Sequence, residues 1–454
     1  MRRLGVLIAA LAAGCALKAP PERPEAVKGA LPNLQVPERF AEPAEAAGAV
    51  GNAWLATFND PQLDALVREV LAHNPDLRVA AARVEQAASI VKSAGATLYP
   101  QVSAMARGGG ALSGDSSGLE GAGIFANWEI DLWGRVRAGR ASAQDQYGSA
   151  TLDNEYARQS LAALTAKSWF LATEARMQKA IAEEMAASSE RQLGLAQDRL
   201  RVGRGDEYDV AVARANLATF RDSVVSLDLA YRQALRALEA LAGRYPAAQL
   251  SVPAQLAALP GPIPVGMPSE LLERRPDVVA AERRVAAAFY RVEEAKAARL
   301  PRISLTAAVT SISSDLFVLK DRDNPVWSAG ASLTAPLFLG GQLQAQVEIR
   351  TAEQKQALAE YGRVGARAFG EVESALSIAF ALQEREGILK ELVAGNDRAL
   401  ELANVRFRVG AGDLRAVSQQ SLALHAARTA LLRVQAERLV QRVNLHLALG
   451  GTFQ

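Results

Sequence analysis

Apolar positions recur along much of this chain at spacings of three and four, the period of an amphipathic helix. Leu217, Phe220, Val224, Leu227, Tyr231, Ala234, Leu238 and Leu241 form one uninterrupted seam of this kind. Such a heptad pattern requires a partner helix. Leu424, Ala427, Leu431 and Val434 keep the same register further on, before Arg438 and Gln441 break it. The stretch from Gly134 to Val202 is rich in Ala and free of Pro, long enough for a helix of roughly 100 Å at 1.5 Å per residue. Gly203 to Asp206 then reverses the chain, and a second helix runs to about Ala242. A shorter helix spans about Pro75 to Leu98, with Pro and Asp in its first turn, where a missing N–H is harmless and a negative charge is favoured. These patterns predict bundled coiled coils.

In four places the period switches to two. Val102, Ala104 and Ala106 alternate with Gln101, Ser103 and Arg107, and Ile124, Ala126, Trp128, Ile130 and Leu132 with Asn127, Glu129 and Asp131. Ile303, Leu305, Ala307 and Val309 alternate with Ser304, Thr306, Ala308 and Thr310, and Trp327, Ala329, Ala331, Leu333 and Ala335 with Ser328, Gly330, Ser332 and Thr334. Segments of about ten residues match tilted transmembrane strands with lipid on one side and water on the other. They match equally an ordinary sheet that lays one face on a helical core. In the membrane reading Trp128, Trp133, Trp327 and Phe338 are candidate interface aromatics. An open sheet edge is not tolerated in lipid, and single-chain barrels start at about eight strands, so four strands force an oligomer. A trimer supplies twelve.

The chain is written twice. Asn74-Pro75-Asp76-Leu77 recurs as Arg275-Pro276-Asp277-Val278, and Tyr99-Pro100-Gln101-Val102 has its counterpart in Leu300-Pro301-Arg302-Ile303, both at an offset of 201. Arg199 to Asp206 returns as Arg406 to Asp413, and Leu238 to Gly243 as Leu445 to Gly450, both at an offset of 207. Four matches in one order define a tandem repeat. The expected organisation is residues 1–14 as a signal, 15–60 as a Pro-rich tether and equatorial segment, 61–250 as the first repeat, 251–268 as a Pro-rich linker and 269–454 as the second repeat. Pro20, Pro21, Pro24, Pro32, Pro37 and Pro43 suit an extended tether and argue against a helix there.

Composition narrows the function. With 51 basic and 49 acidic residues among 454, the chain lacks the basic surplus that nucleic-acid binding demands. One Cys and three separated His (His73, His425, His446) exclude a disulfide framework and a Cys/His zinc site within one chain, so no metal site is expected. Arg2 and Arg3 precede the apolar run Leu4 to Ala13, which reads as a secretory signal too short to anchor the mature protein. Leu11-Ala12-Ala13-Gly14-Cys15 resembles a bacterial lipobox, which implies a covalent lipid on Cys15 after cleavage; an incidental Cys near an ordinary cleavage site is the plainer alternative. Ala16 stands where a retention signal often places Asp, which by resemblance points to the outer membrane of a Gram-negative cell. Removing residues 1–14 leaves 49 basic and 49 acidic side chains.

Together with this lipobox and the repeat, Asn74-Pro75-Asp76-Leu77, Glu129-Ile130-Asp131-Leu132-Trp133-Gly134, Arg274-Arg275-Pro276-Asp277, Ala335-Pro336-Leu337-Phe338 with Gly340-Gly341, and the two Gly-x-Gly-Asp turns carry a resemblance. They are similar to the TolC-like outer membrane factors, in particular the efflux lipoproteins of the OprM or NodT type, over essentially the whole mature chain. The resemblance implies a mainly helical fold with β: a homotrimer with a twelve-stranded outer-membrane β-barrel, four strands per chain, continued by a twelve-helix periplasmic α-barrel. It implies a duct for small molecules that performs no chemistry and needs no cofactor. Its implied partners are a periplasmic adaptor, an inner-membrane transporter of the RND type and outer-membrane lipids. The helix-turn tips would lie at Gly203, Gly205, Gly410 and Gly412. Asp206, Asp209 and Asp413 become candidate aperture residues there, and threefold symmetry would turn each Asp into a ring favouring cations. Asp206 and Asp413 also suit plain helix N-caps, whereas Asp209 lies beyond capping reach. The second turn departs from the family by carrying Ala416 and Gln419 where acidic residues are expected.

Three rival functions have sequence signals of their own. Ser113 to Gly118 faintly resembles a serine-protease neighbourhood and Gly108 to Gly110 a phosphate loop, but no Gly-Lys-Ser/Thr follows and no nearby His completes a triad. A periplasmic adaptor shares the lipid anchor but carries one hairpin in a lipoyl-like domain, not two hairpins with amphipathic strands. A duct of a type I protein secretion system shares the fold, and the lipid anchor leans away from it.

Overall fold

The computed structural model describes residues 17–42, 48, 50–107, 120–313 and 326–453. Cys15, the expected signal 1–14 and the segments Gly108 to Gly110 and Ser113 to Gly118 lie outside them. In chain order the elements are α1 (Arg23–Ala30), α2 (Pro61–His73), α3 (Pro75–Ala96), β1 (Gln101–Arg107), β2 (Glu120–Ile130), α4 (Arg135–Arg201), α5 (Glu207–Leu241), α6 (Leu271–Arg274), α7 (Pro276–Ala297), β3 (Arg302–Ser313), β4 (Val326–Thr334), α8 (Gln342–Arg408) and α9 (Leu414–Ala448). The repeat is reproduced to the residue: α3 and α7 have 22 each, α4 and α8 have 67, α5 and α9 have 35. The chain forms two compact units, Met1–Leu34 with Ala80–Asn154 and Asp277–Ala366, and Gln35–Val79 with Glu155–Pro276 and Arg367–Gln454. Each unit draws on both repeats.

The first unit holds the sheet, ordered β1-β2-β3-β4 and antiparallel throughout. Its middle pair joins the repeats, with Ile124 opposite Val309 and Ile130 opposite Ile303. The Pro-rich segment departs from the expected extended tether: α1 forms there. Pro24 sits in the first turn, where its absent N–H is one of the helix's unused donors, and Pro32 lies beyond the end. Ala26 is buried, and Arg23 Nε meets Glu282 of α7 at 2.9 Å.

The second unit carries the main core. Trp54, Phe58, Leu63, Val67, Val70, Trp169, Phe170 and Leu238 belong to one buried cluster. Asp60 caps α2 by accepting from the Gln62 and Leu63 amides at 3.0 and 3.1 Å, and its other oxygen accepts from Trp169 Nε1 at 2.8 Å. The predicted seam of α5 is buried or half-buried at all eight positions. In α9 the seam does not stop at its polar residues. Gln441 is buried and donates to Ala375 O at 3.0 Å, and Arg438 pairs with Glu386, so both remain on the packed face with their polar atoms satisfied.

The repeated Pro motifs fasten hairpin ends. Asn74 Nδ2 donates to Leu241 O at 2.9 Å while its Oδ1 accepts from the Asp76 amide at 2.9 Å. At the corresponding place in the second repeat Arg275, 1% exposed, donates to Ala448 O at 3.2 Å and pairs with Glu371 at 2.6 Å. Leu241 and Ala448 are themselves 207 apart.

Candidate functional site

Two regions gather the predicted site residues. In the first unit, strand register aligns the alternating patterns of all four segments. Val102 lies opposite Ala126, Ala126 opposite Ala307, and Ala307 opposite Ala329. Residues opposite one another share a face, so Val102, Ile124, Ala126, Ile130, Ile303, Leu305, Val309, Trp327 and Leu333 lie on one continuous apolar face spanning both repeats. The other face carries Gln101, Ser103, Asn127, Glu129, Ser304, Thr306, Ser328 and Ser332. Phe125 is an aromatic on this polar face; its ring lies over Gly123, where an added Cβ would stand 3.1 Å from Phe125 Cε2 and 2.8 Å from Thr310 Cγ2. No described strand side chain is buried, and every residue of β4 is exposed. An ordinary sheet laid on a helical core would bury one face. Among the described residues no helix is long and apolar enough to cross a membrane.

The aromatics cluster where strands meet helices. Trp128 Nε1 donates to Leu98 O at 2.9 Å and Trp133 Nε1 to Pro301 O at 2.7 Å, while both rings stay partly exposed. Trp327 is 76% and Phe338 88% exposed. Trp133 and Phe338 fall just past strand ends, in the turns leading to α4 and α8. The Glu129-Ile130-Asp131 motif serves the same junction. Asp131 accepts from the Val136 and Arg137 amides at 3.0 and 2.9 Å, capping α4, and Glu129 binds Arg135 through two contacts of 3.1 and 2.9 Å.

In the second unit the two helix-turn tips share one geometry. Gly203 (φ 69°) and Gly410 (φ 78°) take the left-handed conformation that ends each long helix. The next amides, Arg204 and Ala411, return to Arg199 O at 2.8 Å and Arg406 O at 2.9 Å. At Gly205 and Gly412 an added Cβ would stand 3.1 Å from the Arg199 and Arg406 Cβ atoms, so glycine is needed for space. Asp206 accepts from the Asp209 amide and Asp413 from the Ala416 amide, each at 2.8 Å. Both are N-caps. Asp209 is half-buried; burial, then the charges of Asp206 and Asp413, push its carboxyl above the ordinary range, while Arg199 and Arg415 pull it back. The structure therefore brings the three predicted aperture aspartates into one electrostatic group.

Four further residues join them. Arg199 Cζ stands 4.5 Å from the centre of the Phe407 ring, and Arg415 Cζ stands 4.8 Å from that of Tyr208. These contacts tie the two hairpins together above a small apolar cluster of Ala196, Ala213, Phe407, Leu414 and Val417. A signal for them exists in the sequence: at the offset of 207, Phe407 replaces Leu200, Arg415 replaces Tyr208 and Ala416 replaces Asp209. The repeats differ where they touch. Among the described residues no group of His, Cys, Asp or Glu is arranged to hold a metal.

Among the described residues one four-stranded sheet with an apolar and a polar face, together with two long helical hairpins, defines a membrane-channel subunit. The chain belongs to the outer membrane efflux protein family, whose pattern matches residues 66–244 and 267–451. It is 29% identical over 435 residues to the cation efflux system protein CusC of Escherichia coli O6:H1, covering 93% of this chain and 94% of that one. It is 32% identical over 417 residues to the pyoverdine export outer membrane protein OpmQ of Pseudomonas putida, covering 88% of each. Among solved structures, the outer-membrane channel OprN superposes with a TM-score of 0.84 at 28% identity, covering 93% of this chain and 99% of that one. The Neisseria gonorrhoeae MtrE outer membrane channel in its open state gives 0.82 at 26% identity, covering 97% and 98%. The expected family and per-chain fold, mainly helical with four strands and an internal repeat, are therefore those of the protein, and its function is efflux at the outer membrane.

Proposed function

We propose that three copies of this chain close a twelve-stranded barrel in the outer membrane and that their hairpins form a twelve-helix tube in the periplasm, a passive exit duct for small molecules. The observation that carries this reading is the apolar face shared by all four strands in a sheet that, among the described residues, has no buried side chain and no strand paired to β1 or β4 on its outer edge. β1 and β4 run antiparallel, so β4 of one copy pairs with β1 of the next without reversing direction, and every backbone group in lipid finds a partner. Three copies give twelve strands, an even number as such barrels require. The apolar face meets lipid, the polar face lines the lumen, and Trp128, Trp133, Trp327 and Phe338 sit at the interfaces.

In this reading the tips at Gly203 and Gly410 form the periplasmic aperture, and three copies of the Asp206, Asp209 and Asp413 group surround the pore. A periplasmic adaptor and an inner-membrane transporter of the RND type deliver the cargo, as in a tripartite efflux system. Cys15, lipidated and palmitoylated, anchors the N-terminus to the outer membrane. Fractionation with outer membranes and a heat-resistant trimer on unboiled gels are the expected results. A monomer in the periplasmic fraction would contradict the duct, and intact mass spectrometry showing an unmodified Cys15 would remove the anchor.

A further inference from the structure

Four arginines near the strand–helix junction of the first unit are matched with carboxylates. Arg135 is held by Glu129, Arg137 by Asp131, Arg283 by Asp145 and Arg284 by Asp153. Arg140 and Arg291 are not paired in this way. Among the described residues Arg140 has no ion-pair partner, and Arg291 faces the side-chain amide of Gln146 rather than a carboxylate. Both face one cavity of about 300 Å³ between α3, α4 and α7, also lined by Thr97, Arg135 and Gln146. Glu294 is the one carboxylate on its wall. It lies along α4 at Gly139, where an added Cβ would stand 3.0 Å from its Oε1, and acts on Arg135. Arg140 and Arg291 therefore open onto a cavity whose wall carries three guanidinium groups and the single carboxylate of Glu294.

The cavity's height in the molecule says which anion suits it. α4 begins at Arg135, five residues beyond the end of β2, and Arg140 lies about 7 Å further along at 1.5 Å per residue. Trp128 and Trp133 mark the junction immediately above. If these tryptophans sit at the membrane interface, Arg135, Arg140 and Arg291 stand at the level of phospholipid phosphates. Ile90, 46% exposed, and Ala94 give the cavity an apolar flank. A guanidinium fork matches two oxygens of a phosphodiester, and a tethered headgroup brings apolar chain with it.

We propose that this cavity binds the phosphate of an anionic membrane phospholipid, with Arg140 and Arg291 as its ligands, collaring the duct with lipid where sheet gives way to helix. The inference rests on the membrane placement of the strands given above. Native mass spectrometry of the full detergent-extracted protein, titrated with phosphatidylglycerol and separately with inorganic phosphate, tests it. Wild type retains phosphatidylglycerol, and Arg140→Gln and Arg291→Gln each weaken it about tenfold, as loss of one charge-assisted contact does. Lysine at either position restores part of the affinity, and Arg221→Gln, at an exposed pair with Glu190 outside this cavity, leaves it unchanged. Equal lipid retention by the glutamine variants would overturn the proposal. So would binding of inorganic phosphate as tight as that of the lipid, which would make this a free-anion site. Arg140 is exposed, so its variant keeps the test open even if Arg291→Gln fails to assemble. A trimeric tube that holds no lipid here would sink this inference and leave the duct standing.

Discussion

Arg415 of the second hairpin stands over the Tyr208 ring of the first, with Cζ 4.8 Å from its centre. The two positions are equivalent in the repeat, so a single divergence between the copies creates the contact. Tyr208→Ala should loosen the tips by about 1 kcal/mol, the scale of an exposed cation–π pair. Faster protease cleavage near residues 202–209, with the global unfolding midpoint unchanged, is the expected readout.

Asp209 lies beside these residues with a raised carboxyl and two acidic neighbours. Its protonation begins at a higher pH than for an ordinary aspartate, so cation preference of the channel should fall as pH drops toward the acid range. Asp209→Ala should reduce cation preference at neutral pH and flatten that pH dependence. Unchanged selectivity and conductance in planar bilayers would remove Asp209 from the pore.

Ala307 and Ala308 are neighbours on opposite faces of β3, opposite Ala126 and Phe125 respectively. Ala307→Arg puts a charge toward lipid near the middle of the strand, a penalty of about 2–4 kcal/mol per copy, and should abolish insertion. Ala308→Arg faces the lumen and should insert normally. Equal insertion of both variants would mean that the faces have been assigned wrongly.

His446 stacks on Trp54 with ring centroids 5.8 Å apart, and its Nδ1 is buried with no partner among the described residues. Burial, and then the charge of Arg442, lower its pKa from 6.5 to about 4. The unfolded chain therefore takes up a proton as pH falls through 6.5 while the folded chain does not until about 4, and stability is lost across that window. At pH 5 the loss should be about 2 kcal/mol relative to neutral pH. His446→Phe keeps the stack and should remove this part of the slope in denaturation curves; an unchanged slope would exclude His446 as its source.

Arg275 bridges Glu371 and the carbonyl of Ala448 from a buried position. Arg275→Met should cost about 2 kcal/mol through the unpaired carbonyl and the lost ion pair, read as a lower unfolding midpoint. Asn74→Ala, which frees Leu241 O and the Asp76 and Leu77 amides but breaks no ion pair, should cost less.

Much of this architecture was legible in the chain. The heptad seam from Leu217 to Leu241 and the turn glycines Gly203 and Gly410 report local geometry, which neighbouring residues dictate. Strand alternation was equally plain, but a lipid-facing and a core-facing strand share one pattern. Only the register linking Ile124 to Val309 across the repeats, with no described strand side chain buried, separates them. Helix α1 is not legible in the Pro-rich segment because proline breaks a helix interior; Pro24 falls in the one turn that tolerates it. Arg438 and Gln441 looked like an end to the seam because their partners, Glu386 and the Ala375 carbonyl, lie far away in sequence. The Arg199–Phe407 and Arg415–Tyr208 contacts were hidden for a related reason: repeats are found by what they share, and these contacts arise where they differ.

Negative-stain imaging of the detergent-extracted protein, with its mass measured in solution, tests the central claim most directly. A threefold tube with a central channel and the mass of three chains is the predicted result. A compact monomer with no tube would contradict it and return the four strands to an ordinary sheet.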